Sequence, residues 1–150
     1  MSAAPLTATI FAIALLAHLG LKLWLASRQI RAIARHRNQV PAAFADSISL
    51  RTHQRAADYS ISRLRLGLLE IALGTAVLLA WTLLGGLDAL NDGLLRWLGA
   101  QPLLQPLALL VAFAFINGVL DLPASLYRTF VIEERFGFNR MRLGLWLSDL

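Results

Sequence analysis

Along the chain, apolar residues gather in three long runs, residues 6–25, 66–87 and 103–120, with a fourth beginning at residues 143–150. A helix crosses the hydrocarbon core of a bilayer in about 20 residues, so the first three runs are expected to span and the last is too short to do so. The first run carries only His18 and Lys22 as ionisable groups, and the second only Glu70. The third closes on Asn117 and Asp121, four residues apart and hence on one helical face, before Pro123. The residues before Leu6 are uncharged and the basic cluster follows the apolar run, an order opposite to that of a cleaved signal peptide. A retained first span is expected.

Between the first two runs lies a polar connection, residues 27–66. It holds Arg28, Arg31, Arg35, Arg37, Arg51, Arg55, Arg63 and Arg65 against only Asp46 and Asp58. By the positive-inside rule it belongs on the cytoplasmic side, with the N-terminus outside. Residues 28–37 fit a helix leaving the membrane, Val40-Pro41 breaks it, and residues 46–49 offer caps for the next. From there Leu50, Ala57, Ile61 and Leu64 repeat at helical spacing, leaving Arg51, Arg55 and Asp58 off the stripe. Gly85-Gly86 is expected to end the second span. Residues 87–102, with Arg96 as their single arginine, then form a short outer connection. The expected fold is all-α: a polytopic transmembrane bundle of three spans and the start of a fourth, with amphipathic cytoplasmic helices, in one membrane domain over residues 1–150.

Composition agrees with this picture. Hydrophobic residues make up 57% of the chain and charged residues 15%, with a mean hydropathy of +0.61, well off the soluble average of roughly 25% charged. The net charge of +5 does not point to nucleic acid, because the arginines flank apolar runs instead of interleaving with exposed aromatics. Cysteine is absent, which removes disulfides and thiolate metal sites. Abundant alanine, leucine and arginine with little lysine hints at a GC-rich bacterium, and so at a bacterial inner membrane.

Four groups of residues are candidates for chemistry. His18 and Lys22 share a face and either line a polar cavity or, more simply, snorkel and bond to a neighbouring helix. Glu70 lies about one turn inside its span. It either lines a chamber or pairs locally, with Arg63 or a basic residue of the first helix. Asn117 and Asp121 either form an interior polar wall, or Asp121 caps a helix that Pro123 forces to kink or restart. Glu133 and Glu134 are adjacent and point about 100° apart, so ion pairing with nearby arginines is expected over a shared metal. The histidines, His18, His36 and His53, are scattered, and none is followed by glutamate.

The segment from Tyr127 to Asn139, YRTFVIEERFGFN, joins the third run to the fourth. It places Phe130, Phe136 and Phe138 beside Glu133 and Glu134 among Arg128, Arg135, Arg140 and Arg142. Gly137 is the expected point of reversal, and exposing all three phenylalanines would create an apolar patch, so they are expected to pack inward. The rival reading holds them open for a substrate's lipid or peptide.

This segment, read as YRTFVIEERFGFNR, resembles the signature of the N-terminal membrane region of the CAAX prenyl protease 1 family, integral-membrane zinc metallopeptidases. The signature positions are Tyr127, Phe130, Glu133, Glu134, Phe136, Gly137, Phe138 and Asn139. A second block, Val40-Pro41 followed by HQRAADYSISRLRLG at residues 53–67, is similar to the family's approach to its second membrane helix. The resemblance implies a zinc peptidase acting on peptide or prenylated-protein substrates. Its catalytic HExxH is not in this sequence, so no catalytic or metal-binding residue is assigned here and the zinc site is expected in a missing C-terminal part. The alternative is a small non-enzymatic membrane scaffold that binds partners.

Overall fold

The computed structural model describes residues 3–99, 101–138, 144 and 146. All regular structure among them is helical. Helix α1 spans Ala3–His36, α2 Leu50–Thr82, α3 Gly86–Leu98 and α4 Leu104–Tyr127. α4 continues without interruption into a π-helical stretch, Arg128–Glu133, and a closing turn, α5, at Glu134–Phe136. Three helices, Pro5–His36, Leu50–Thr82 and Leu104–Phe136, are long and apolar enough to cross a membrane. Their apolar side chains face outward: Ile13 is 62% exposed, Leu110 64% and Phe115 70%. A water-soluble bundle would bury these, whereas lipid solvates them without cost.

Two departures from the sequence reading have clear physical causes. The segment at residues 87–102, expected as a connection, is mostly the helix α3. Gly85 reverses the chain at φ 78°, and its carbonyl accepts the Ala89 N–H at 2.9 Å. A Cβ at Gly86 would lie 2.8 Å from the Ala80 carbonyl oxygen, so the close approach needs glycine. Leu90, Asn91, Leu94, Leu95 and Leu98 are partly buried along one face, while Asp88, Asp92 and Arg96 are exposed. Asp88 in the first turn and Arg96 in the last suit the helix dipole. The second departure is at Pro123, which lies inside α4, so the helix does not restart and Asp121 caps nothing there. The irregularity appears five residues later as the π-helical stretch, where each turn takes up an extra residue.

The chain divides into two compact units, one of residues 1–20 and 71–123, the other of residues 21–70 and 124–150. In the first unit the Trp81 and Phe113 rings meet at 5.1 Å, Gln105 donates to Asn91 between α4 and α3, and buried Thr75 donates to the Ile71 carbonyl. In the second unit lies the buried apolar cluster of Leu66, Ile132 and Phe136, with Tyr59 packed against it. There too, Arg37 just past α1 grips Asp58 of α2 with two hydrogen bonds of 2.7 Å. That pairing raises the Arg37 pKa above its already high usual value.

The expected fourth helix, residues 143–150, lies almost wholly outside the described residues. Gly144 and Trp146 within it are helical.

Candidate functional site

On α2, Arg55, Tyr59, Leu66 and Glu70 follow one another at steps of four, seven and four, and so lie along one face. The end of the Leu104–Phe136 rod docks on that face in the opposite direction. Arg55 donates through Nη2 to the Phe136 carbonyl oxygen at 2.6 Å. The Tyr59 ring meets Phe136 edge-on at 5.4 Å and Phe138 at 4.8 Å. Leu66 packs with Ile132 and Phe136. Arg128 closes the row by donating through Nη2 to both Glu70 carboxylate oxygens, at 2.6 and 2.7 Å.

The rod ends in a reversal that meets the requirements of a glycine cap. Gly137 sits at φ 76°, its N–H donates to the Glu134 carbonyl at 3.0 Å, and the Phe138 N–H donates to the Glu133 carbonyl at 2.8 Å. These two bonds are the paired closure of a Schellman motif, which satisfies carbonyls that a helix end leaves open. Arg55 takes the Phe136 carbonyl as well, so a cation stands at the negative end of the helix dipole. A Cβ on Gly137 would come to 3.0 Å from the Arg55 Nη2.

The fates of the candidate residues differ. Glu70 is paired, but its partner is Arg128 and not Arg63, whose guanidinium instead lies 5.7 Å from the Tyr59 ring centre. Asn117 is partly buried and donates to the Phe113 carbonyl one turn back, while Asp121 is exposed. Phe136 is buried, and Phe130 is partly buried with its ring 6.3 Å from Trp146. Phe138 departs from inward packing, since it is 60% exposed despite its contact with Tyr59. Tyr127 is half exposed. Glu133 is partly buried and Glu134 exposed, and neither forms an ion pair with another described residue. Asn139 lies outside the described residues. Arg55, Tyr59 and Arg128 were not singled out as a docking set by the sequence reading, although the spacing of Arg55, Tyr59, Leu66 and Glu70 marks a single face.

Zinc requires three or four converging nitrogen, sulfur or carboxylate ligands. Among the described residues no three His, Asp or Glu side chains converge, and there is no cysteine. The His36 Nδ1 lies 2.8 Å from the Ala32 carbonyl and the His53 Nε2 3.0 Å from the His36 carbonyl. The residues described here do not fit a zinc site.

Residues 29–150 match the model of a family described as the CAAX prenyl protease N-terminal region, five membrane helices. Human CAAX prenyl protease 1 homolog is 30% identical over 97% of this chain, which covers 32% of the human protein. The Saccharomyces cerevisiae CAAX prenyl protease 1 is 41% identical over 31% of this chain and 10% of its own length. The crystal structure of S. mikatae Ste24p superposes on 94% of this chain with a TM-score of 0.83 at 22% identity, and the match covers 33% of that protein. The last comparison speaks to fold alone. The chain spans about a third of the length of these longer matches. With its membrane-capable helices and this match over most of its length, the chain is an integral membrane protein and belongs to the CAAX prenyl protease family, in that family's N-terminal region.

Proposed function

We propose that this chain is the N-terminal membrane part of a zinc metalloendopeptidase of the CAAX prenyl protease kind. Its helices help wall a chamber in the membrane, and the zinc ligands and general base come from a C-terminal part beyond residue 150. The observation that carries the reading is the interlock of the two signature blocks, Arg55, Tyr59 and Leu66 on one, with Glu70 one turn beyond it, and Arg128, Ile132, Phe136 and Phe138 on the other. In this reading the interlock is structural. It fixes the end of the rod where the chain must return toward the membrane, and Asn117 and Asp121 are the candidates for a polar wall. Peptide or prenylated-protein substrates follow from what the relatives are called. The arginine asymmetry supports an N-terminus outside and residues 27–66 inside, and the arginine-rich, lysine-poor composition supports a bacterial cell membrane.

The test is the coding sequence downstream of codon 150 and the product it specifies. An in-frame HExxH within a couple of hundred codons, and a purified longer product that cleaves a prenylated peptide and loses that activity to a chelator, is the expected result. A stop codon directly after Leu150 with stable expression overturns it in favour of a non-enzymatic membrane scaffold. Topology is tested separately by single cysteines on this cysteine-free background. A cysteine at Asn91 is expected to label from outside only.

A further inference from the structure

Where α1 leaves its apolar run, Leu21, Trp24, Arg28, Arg31 and Arg35 succeed one another at steps of three and four, forming one stripe along the helix. Leu21 is 55% and Trp24 52% exposed, and all three arginines are exposed. The Arg28 guanidinium lies 4.9 Å from the Trp24 ring centre. Together with Ala32, the three arginines border an open, solvent-facing hollow along this one helix. None of them has a carboxylate partner among the described residues, where the ion pairs use Arg37 and Arg128 instead. Asp58, on the neighbouring helix, is held by the Nε and Nη2 groups of Arg37.

A topology signal needs positive charge on one side of the membrane but no particular arrangement of it. Here the charge is arranged. Three planar guanidiniums border one open gap along the helix, each able to donate paired hydrogen bonds to phosphate oxygens. Immediately below them on the same stripe are an exposed leucine and an indole of the kind that sits at headgroup level. The stripe thus changes from apolar to cationic within about two helical turns, as a phospholipid changes from acyl chain to phosphate.

We propose that this stripe binds one anionic glycerophospholipid. The phosphodiester headgroup occupies the hollow between Arg28, Arg31 and Arg35, and an acyl chain lies along Leu21 and Trp24. Trp24 has two roles, covering the chain and steadying Arg28 through its ring face. A zwitterionic lipid is disfavoured because its own ammonium group meets three arginines. The site does not depend on the protease reading, since it uses neither the docked signature segment nor any catalytic part.

The experiment is native mass spectrometry of the detergent-purified chain titrated with phosphatidylglycerol or phosphatidylcholine. One phosphatidylglycerol is expected to be retained about tenfold or more in preference to phosphatidylcholine. The R28Q/R31Q/R35Q variant is expected to lose that preference, and the R51Q/R65Q/R96Q variant, which removes the same charge elsewhere, to keep it. Equal loss in both variants reduces the effect to diffuse charge and overturns the site. Displacement of the lipid by millimolar inorganic phosphate, with Trp24→Ala having no effect, overturns it in favour of a plain anion site. Equal retention of the two lipids by the unmodified chain overturns it without recourse to any variant.

Discussion

In the unit formed by residues 21–70 and 124–150, Arg37 holds Asp58, Arg55 holds the Phe136 carbonyl and Arg128 holds Glu70, all around the buried Leu66, Ile132 and Phe136. In the unit formed by residues 1–20 and 71–123 the described cross-contacts are sparser, chiefly the Gln105–Asn91 bond and the Trp81–Phe113 ring pair. The difference is the one expected if the sparser unit is largely immersed in lipid and the other meets the membrane edge. Lipid tails are as apolar as leucine, so helices immersed in them gain little by burying leucine against leucine. In the other unit, partly exposed ion pairs and aromatic packing distinguish one arrangement from another. The signature residues Tyr127 to Phe138 lie in that unit, and the long apolar faces of the sparser one are expected to accept residues of similar hydropathy.

The sharpest way to break the comparison is Arg128→Ala, which leaves the Glu70 carboxylate without its partner. A loss of about 2 kcal/mol in unfolding stability is expected, less than for a fully buried pair because the two side chains are 43% and 27% exposed. The exchange of charges in Glu70→Arg with Arg128→Glu should restore part of it, and an absence of loss in the single variant would remove the pair from the account. Gly137→Val comes next, at about 1 to 3 kcal/mol, because valine must either adopt a left-handed backbone or give up the reversal. Denaturant unfolding in detergent, followed by circular dichroism, measures both. Arg55→Met keeps the aliphatic stem but removes the donor to Phe136, for an expected loss of about 1 kcal/mol. In the other unit, Asn91→Ala should cost no more than about 0.5 to 1 kcal/mol, since it removes one partly exposed neutral hydrogen bond. A larger loss at Asn91 than at Arg55 would reverse the contrast between the units.

How legible these features were depended on how local their causes are. The spans at α1, α2 and α4 were visible because each is a long apolar run, and Gly137 because a reversal beside two phenylalanines calls for a residue free to take positive φ. α3 was hidden by the polar residues of the stretch read as a connection, Asp88, Asn91 and Asp92, which sit on a helix whose leucines recur on one face. Of the two alternatives at Pro123, a kink or a restart, the structure excludes the restart, since the rod continues through it and a π-helical stretch begins five residues later. The partner of Glu70 was out of reach for a different reason. Helical spacing identifies neighbours three or four residues away, whereas Arg128 is 58 residues downstream.

That separation also sets a timetable for the ribosome. At about 5 to 20 residues per second, Arg128 is synthesised some 3 to 12 s after Glu70. In that interval α2 reaches the translocon with its carboxylate and no counter-ion. Glu70 is the only ionisable residue between Leu66 and Thr82, so the sixteen others must drive entry into the bilayer unaided. They work against a cost of about 2.5 to 3.5 kcal/mol for an acidic group at mid-helix, smaller near the edge where Glu70 sits. Arg128 therefore comes too late to help α2 insert, and its contribution begins only when the finished rod locks onto a helix already in place.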